Sequence, residues 1–307
     1  MKRAGCLLLA ALPVLAGALY YFFGAAVLKD AAAPVTPSAA ASQESRKDAK
    51  ARAEDSAEKQ RAEDAQVIAD APPGLAAPDK KELAQKIVAT AENSTLDWRS
   101  TYGSIQDIGD GQGYTAGIVG FCTGTHDLLT LVERYTKDHP DNGLARYLPA
   151  LHKVDGTASH EGLDPGFKAA WKAEAKVPAF RRAQEEERDR VYFKPSVRLA
   201  KLDGLGTLGQ FIYFDAMVFH GPGVSGASFY ALRERAMQKA ELPSDGGDEK
   251  AYLTAFLDVG RVAMKERRTT IDTSRIDTAQ RRFLKAGNME LRTPLVWSMY
   301  GETYRVP

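Results

Sequence analysis

The hydrophobic and polar positions divide the chain into three stretches. Gly5 to Leu28 (GCLLLAALPVLAGALYYFFGAAVL) carries no charged side chain and is bracketed by Lys2-Arg3 and Lys29-Asp30. Residues 31–78 are rich in Ala, Pro, Ser, Glu, Lys and Arg, with almost no large apolar side chain between Pro37 and Gln66. From Asp79 onward apolar residues recur at spacings of three and four, the pattern of helices with one buried face.

Each stretch has its own expectation. A secretory core needs about 7–15 apolar residues and a bilayer span about 20. The length of the first run predicts an uncleaved signal-anchor, residues 1–30, with a cytoplasmic N-terminus and an extracytoplasmic body. The small residues Gly24-Ala25-Ala26 and Ala31-Ala32-Ala33 leave cleavage by a signal peptidase, and secretion, as the alternative. Cys6 precedes the apolar run, so no lipid anchor is expected. The second stretch cannot bury enough surface to offset its ordering entropy and reads as a disordered linker over 31–78, with a solvated helical rod from Ser45 to Gln66 as the structured possibility. Residues 79–307 are the catalytic-sized domain.

Within that domain, Asp79 and Glu82 have the spacing of a capping box, and Leu83, Ile87, Val88 and Ala91 fall on one helical face behind it. Trp98, Tyr102 and Ile105 continue at helical spacing as core. Tyr114 to Cys122 reads as one or two short strands broken by glycines. Helices are expected at Leu128–Tyr135, Phe167–Val177, Phe180–Val191, Ala200–Phe219, Tyr252–Met264 and Ser274–Ala286. The aromatic segment from Pro294 to Pro307 is expected to pack on the surface. The fold class is therefore mainly α, with a small β contribution.

Composition narrows the function by exclusion. The 307 residues carry a formal net charge of +1, which gives no nucleic-acid signature. The two cysteines, Cys6 and Cys122, are placed too differently to form a disulfide framework. The five histidines show no metal-ligand spacing, so no metal and no cofactor are expected.

The chemistry concentrates between Ala91 and Asp127. Glu92 lies four residues after Val88, at the edge of a buried helical face, where a carboxyl held partly out of water is suited to giving up a proton. The competing reading is an exposed glutamate at a helix end. Asp110 lies in D-I-G-D-G-Q-G-Y-T (107–115), whose glycines present it on a tight turn. This run lacks the strand-before, helix-after context of a nucleotide fingerprint and misses the calcium-loop spacing. Asp127 is placed to sit at the positive end of the next helix. Asp215 interrupts the apolar run Leu208–Phe219 and is costly to bury without a cation, for which Arg261 and Arg275 are the candidates. His220, in H-G-P-G (220–223), reads as a turn residue. Two carboxylates in unlike environments are the pattern of a glycosidase, one protonating the leaving oxygen and the other activating water.

The chain from Pro78 to Tyr304 resembles the glycoside hydrolase family 46 chitosanases. The motifs are A-E-N-S-T-L-D-W (91–98), D-I-G-D-G-Q-G-Y-T (107–115), G-F-C-T-G-T (120–125), E-R-D-R-V-Y-F (187–193), L-G-Q-F-x-Y-x-D (208–215), H-G-P-G (220–223), D-T-S-R-x-D-T (272–278) and F-L-K-A-G-N (283–288). The resemblance implies a lysozyme-like, α+β fold of two lobes, with a small β-sheet in the minor lobe and the cleft between lobes. It implies endo-hydrolysis of β-1,4 linkages in chitosan with inversion, Glu92 as general acid, Asp110 as general base and Thr115 holding the attacking water. It also implies a supporting network of Asp215, Arg261 and Arg275 behind the acid. Asp127, Asp107, His220 and Glu266 are the candidates for substrate contact. The partner is then a cationic glucosamine polymer, drawn to a carboxylate-lined cleft, and the enzyme a monomer. Gln106, Gln112 and Ser104 stand where relatives often carry an acid, an arginine and a tyrosine. The alternatives are a lysozyme-like hydrolase of peptidoglycan and a sugar-binding module without catalysis.

Overall fold

In the computed structural model, which describes residues 39–307, the charged stretch before the domain forms helix α1 (Ala39–Asp70). Its good helix formers give a continuous rod where composition alone suggested a disordered linker. Gln60 bonds Asp64 and Gln66 bonds Asp70 along its exposed side. The apolar run from Gly5 to Leu28, and with it the expected signal-anchor, lies outside the described residues. No helix among the described residues is long and apolar enough to cross a membrane.

Helix α2 (Pro78–Asn93) buries Leu83, Ala84, Ile87, Val88 and Ala91, as the spacing predicts. Its start differs from the expected capping box. Pro78 occupies the first turn, where its missing N–H costs nothing. Glu82 does not reach back but accepts from the Trp98 indole and from Arg99. Leu75 is already buried, so packing begins a few residues before Asp79. Ser94 ends the helix in a left-handed conformation.

A 3₁₀ turn over Trp98–Gly103 then leads into a three-stranded antiparallel sheet of β1 (Ile105–Asp107), β2 (Tyr114–Ala116) and β3 (Phe121–Cys122). Its register pairs Asp107 with Tyr114 and Thr115 with Cys122. The expected pair of strands is present, and β1 is the addition.

Helices follow: α3 (Asp127–Asp138), α4 (Leu148–Val154), α5 (Phe167–Glu174), α6 (Pro178–Arg188), α7 (Lys194–Leu202), α8 (Thr207–His220), α9 (Phe229–Met237), α10 (Glu249–Arg267) and α11 (Arg281–Lys285). The sheet packs with α3, α4 and α5 as one group. Helices α8 to α11 pack as a second group, and α2 and the run from α6 through α7 join the two. The two groups are the lobes of a mainly helical fold. Two segments, Asp189–Phe193 and Arg275–Gln280, are π-helical, widened turns that often mark functional positions.

The C-terminal segment is not a surface wrapping. It forms a hairpin of β4 (Leu295–Met299) and β5 (Glu302–Val306), with Leu295, Trp297 and Met299 alternating inward. Trp297 is fully buried and its indole N–H donates to Thr90 Oγ1 at 3.0 Å, tying the hairpin to α2.

Candidate active site

Glu92 sits in the last turn of α2, and its position is fixed from behind. Arg275 Nη2 donates to Glu92 Oε1 at 2.7 Å. The same guanidinium grips both oxygens of Asp215, Nε to Oδ2 and Nη2 to Oδ1 at 3.0 Å each. Gln280 adds a third donor to Asp215. Asp215 and Arg275 are 3% and 5% exposed, so the burial cost of the acid is met by a paired cation. Burial works against the charge on Arg275, but the Asp215 and Glu92 carboxylates outweigh it and hold the guanidinium above its ordinary value.

The π-helical turn explains how one acid meets both donors. Arg275 and Gln280 are five residues apart, a spacing that diverges on an α-helix and nearly superposes when the turn widens. Arg261, expected in this network, is elsewhere. Its Nε binds Asp277 at 3.0 and 2.8 Å and its side chain is 43% exposed. The cause is helical phase: Gly260, one residue earlier on α10, is the one that lines the space beside Asp215, Arg275 and Gln280. Burial pulls the Asp277 carboxyl up, but the Thr273 hydroxyl and Arg261 overcome it and leave it below its usual range.

The end of α2 is also held from the hairpin. Tyr300, in the β4–β5 turn with φ 52°, donates its hydroxyl to the Ala91 carbonyl at 2.7 Å. That carbonyl is one of those a helix end leaves without an intrahelical partner. Tyr300 was not among the expected site residues, although the Tyr300-Gly301 dipeptide marks a turn.

Asp110 lies on the β1–β2 loop, between Gly109 and Gly111 at φ 70° and 86°. Its Oδ1 accepts from the Gln112 amide at 3.1 Å, an Asx-type turn that aims the carboxylate. Its Oδ2 faces Arg267 Nη2 at 3.9 Å. Asp107 shapes the same loop by accepting from the Gly109 amide at 2.7 Å, and its other oxygen is 3.1 Å from His160 Nε2.

Thr115 stands on β2, with Oγ1 3.2 Å from Cys122 Sγ. A Cβ placed on Gly120 would lie 3.1 Å from Thr115 Cγ2 and 3.7 Å from Glu92 Oε2. Gly120 is thus the bare floor on which the threonine and the acid converge. Cys122 is no nucleophile: burial and then the Asp127 carboxylate push its thiol up to about 12.

The residues expected to touch substrate fare differently. Asp127 is buried at the start of α3. Its Oδ1 accepts from Cys122 N at 2.9 Å, Thr125 Oγ1 at 2.7 Å and Leu128 N at 3.0 Å, and Oδ2 accepts from Tyr192. Burial raises its carboxyl against those bonds. These bonds give it a helix-terminus role. His220 ends α8 beside Phe219 and is pushed down to about 3, first by burial and then by Arg275. Both causes favour the neutral ring. Glu266 is exposed on the last turn of α10, and its neighbour Arg267 is the residue that reaches Asp110.

A helix-end acid backed by a buried ion network, a carboxylate on a glycine-flanked loop, and a threonine that meets the acid at Gly120 are an arrangement compatible with a glycoside hydrolase. Residues 86–295 match glycosyl hydrolase family 46, and the chain belongs to that family. It is 56% identical over 231 residues to a chitosanase of Streptomyces sp. (strain N174), covering 75% of this chain and 83% of that protein. Among solved structures, chitosanase OU01 with substrate superposes with a TM-score of 0.76 at 49% identity, over 77% of this chain and 100% of that one. The family 46 chitosanase of Gynuella sunshinyii in complex with chitotetraose gives 0.69 at 30% identity, over 74% and 97%.

Proposed function

We propose that the protein is a chitosanase that cuts β-1,4 bonds within chitosan in a single inverting displacement. The observation that carries this reading is the convergence of Glu92 and Thr115 on Gly120, with Asp110 carried by the hairpin that bears Thr115. Glu92 gives its proton to the glycosidic oxygen. Asp110 takes a proton from a water that attacks the anomeric carbon from the opposite face, and Thr115 orients that water. The arginine behind Glu92 does not prevent this, because Asp215 already grips it bidentately and compensates its charge.

The substrate carries ammonium groups, so ionised acids along the cleft favour its approach, and that attraction weakens as salt rises. Glu92→Gln and Asp110→Asn are each expected to lower turnover on chitosan by orders of magnitude, read as new reducing ends. Near-wild-type turnover in either variant overturns the assignment. Proton NMR of the first products should show the α-anomer, and a β-anomer refutes inversion. Release of fragments from peptidoglycan with none from chitosan would replace chitosan by the wall polymer. For location, the reading is export, with Gly5 to Leu28 as signal-anchor or cleaved signal and α1 as spacer. Met1 at the N-terminus of the mature protein means anchored, and a residue near Ala33 means secreted.

A further inference from the structure

The segment Gly120–Thr125 carries a thiol that no step of hydrolysis consumes. Cys122 is buried on β3 and paired in register with Thr115 on β2, and its amide donates to Asp127 Oδ1 at 2.9 Å. The backbone beneath the sulfur is therefore fixed. Two oxygens lie close to the sulfur: the Gly120 carbonyl at 3.1 Å and Thr115 Oγ1 at 3.2 Å. Burial and then the Asp127 carboxylate push the thiol up to about 12, and Asp110 is near enough to add to the rise. The sulfur keeps its hydrogen. That single hydrogen decides the direction of both contacts. A carbonyl oxygen only accepts, so a neutral sulfur 3.1 Å from it points its S–H there. The sulfur lone pairs are then left for Thr115, whose O–H donates to Sγ. Thr125, which also touches the thiol, gives its own hydroxyl hydrogen to Asp127 Oδ1 at 2.7 Å and does not compete for that place.

We infer that Cys122 is a positioning residue for the hydrolytic water and acts through Thr115, its sulfur holding the threonine hydroxyl as an acceptor toward that water. This rests on the chitosanase reading above. With its hydrogen turned to the sulfur, Thr115 Oγ1 offers the water lone pairs, and an O–H that donates is itself a better acceptor. The water then gives one hydrogen to Thr115 and the other to Asp110. With both hydrogens placed, its lone pair is what faces the anomeric carbon. In the displacement the water oxygen forms its bond to that carbon while the bond to the leaving oxygen breaks. Asp110 takes the proton on its side, Glu92 supplies the leaving oxygen with one, and the hydrogen on Thr115 stays with the new hydroxyl. A threonine free to rotate would donate to the water in some of its orientations and so compete with the carbon for the lone pair. The thiol removes those orientations before substrate arrives, so its effect enters turnover and not binding.

The test is a double-mutant cycle in the full chain on chitosan, with Cys122→Ala and Thr115→Val alone and together, read with enzyme in excess so that slow variants are measured. Cys122→Ala should lower kcat by about three- to tenfold, the scale of one hydrogen bond, with KM unchanged. Cys122→Ser, whose hydroxyl can also donate to Gly120 and accept from Thr115, should restore most of that loss. In the Thr115→Val background, where no hydroxyl remains to be held, Cys122→Ala should have almost no further effect. A thiol with a merely structural role would lower turnover by the same factor in both backgrounds. The direction of the bonds is read from the S–H stretch in the infrared difference between proteins with and without Cys122. That band should lie at the lowered frequency of a thiol bonded to a carbonyl and stay there in Thr115→Val; its return to the free-thiol frequency in that variant would show that the thiol donates to Thr115 and overturn the inference. Unchanged kcat in Cys122→Ala, or an equal loss in both backgrounds, also overturns it and leaves the chitosanase reading intact. Failure of the wild type to cut chitosan overturns that reading instead.

Discussion

Asp215→Asn removes one charge, and almost nothing else, from the support behind the acid. In the native protein Asp215 Oδ2 accepts from Arg275 Nε and Gln280, and Oδ1 accepts from Arg275 Nη2. An amide in the same place keeps one acceptor and turns a donor toward another donor. It also leaves the buried Arg275 guanidinium with Glu92 as its remaining carboxylate partner. Breaking a buried pair costs about 3–5 kcal/mol, and because Glu92 still compensates part of the charge the expected loss is near the lower end, about 3 kcal/mol. For a domain of this size that is roughly 6–12 °C in Tm. Urea unfolding should show a lower midpoint at an unchanged slope, since the surface exposed on unfolding is the same. Turnover should fall further than stability requires. The uncompensated guanidinium now pulls on Glu92 alone, against the role proposed for it as a proton donor. The double variant Asp215→Leu with Arg275→Met removes both charges and should recover part of the stability but none of the activity, because Glu92 loses its anchor. A cost for Asp215→Asn below about 0.5 kcal/mol, the range of ordinary surface substitutions, would refute the reasoning.

Three further expectations concern the surroundings of that network. Gly120→Ala should keep the fold but lower turnover by more than tenfold, because the added methyl lies 3.1 Å from Thr115 Cγ2 on a residue at φ 72°; unchanged kinetics would mean that Thr115 and Glu92 do not converge there. Tyr300→Phe deletes the hydroxyl that holds the Ala91 carbonyl and should cost about 1 kcal/mol by urea unfolding, with kcat falling more than KM rises. His220 is held down to about 3 by burial and then Arg275, below its ordinary 6.5. The unfolded chain therefore binds a proton below pH 6.5 that the folded protein refuses, so this residue lowers stability progressively as pH falls from 6.5 toward 3. His220→Phe should flatten that part of the stability profile, and an NMR titration should show the ring neutral to about pH 4; an imidazolium at pH 6 contradicts the burial argument.

What could be read from the sequence was local, and what could not depended on geometry between distant segments. The stripe Leu83, Ile87, Val88 and Ala91 identified α2, and the glycines around Asp110 identified its loop, because each signal lies within one short stretch of chain. That Asp215 needs a cation was also legible, from the cost of a carboxylate in an apolar run. Which cation was not. Arg261 and the space beside Asp215 differ by one residue on α10, a rotation of about 100° that spacing alone does not register. Gln280 joins Arg275 on Asp215 through a π-helical turn, and α-helical periodicity separates the two. Asp127 was read correctly as a helix opener before the resemblance assigned it to substrate. Its four bonds to neighbours account for the first role. The alternation Leu295, Trp297, Met299, followed by a Tyr-Gly turn, was a readable hairpin that the aromatic content of the segment obscured.

The two carboxylates are held by opposite means, and the tasks proposed for them account for it. A general acid must meet the leaving oxygen at a fixed point and exchange its proton there, so its carrier has to be rigid. Glu92 is accordingly braced by Arg275 at its carboxylate and by Tyr300 at the preceding carbonyl, from two separate segments. A general base must accept a proton from a water that arrives with each substrate, and needs an oriented but hydrated carboxylate. Asp110 has that: one backbone amide to aim it, glycines on either side, and a cation at 3.9 Å and not in direct hydrogen-bonding contact. An exposed ion pair of this kind is worth only about 0–1 kcal/mol, so substrate can displace or polarise it without a large penalty. The cation beside the base is therefore a poor device for stability.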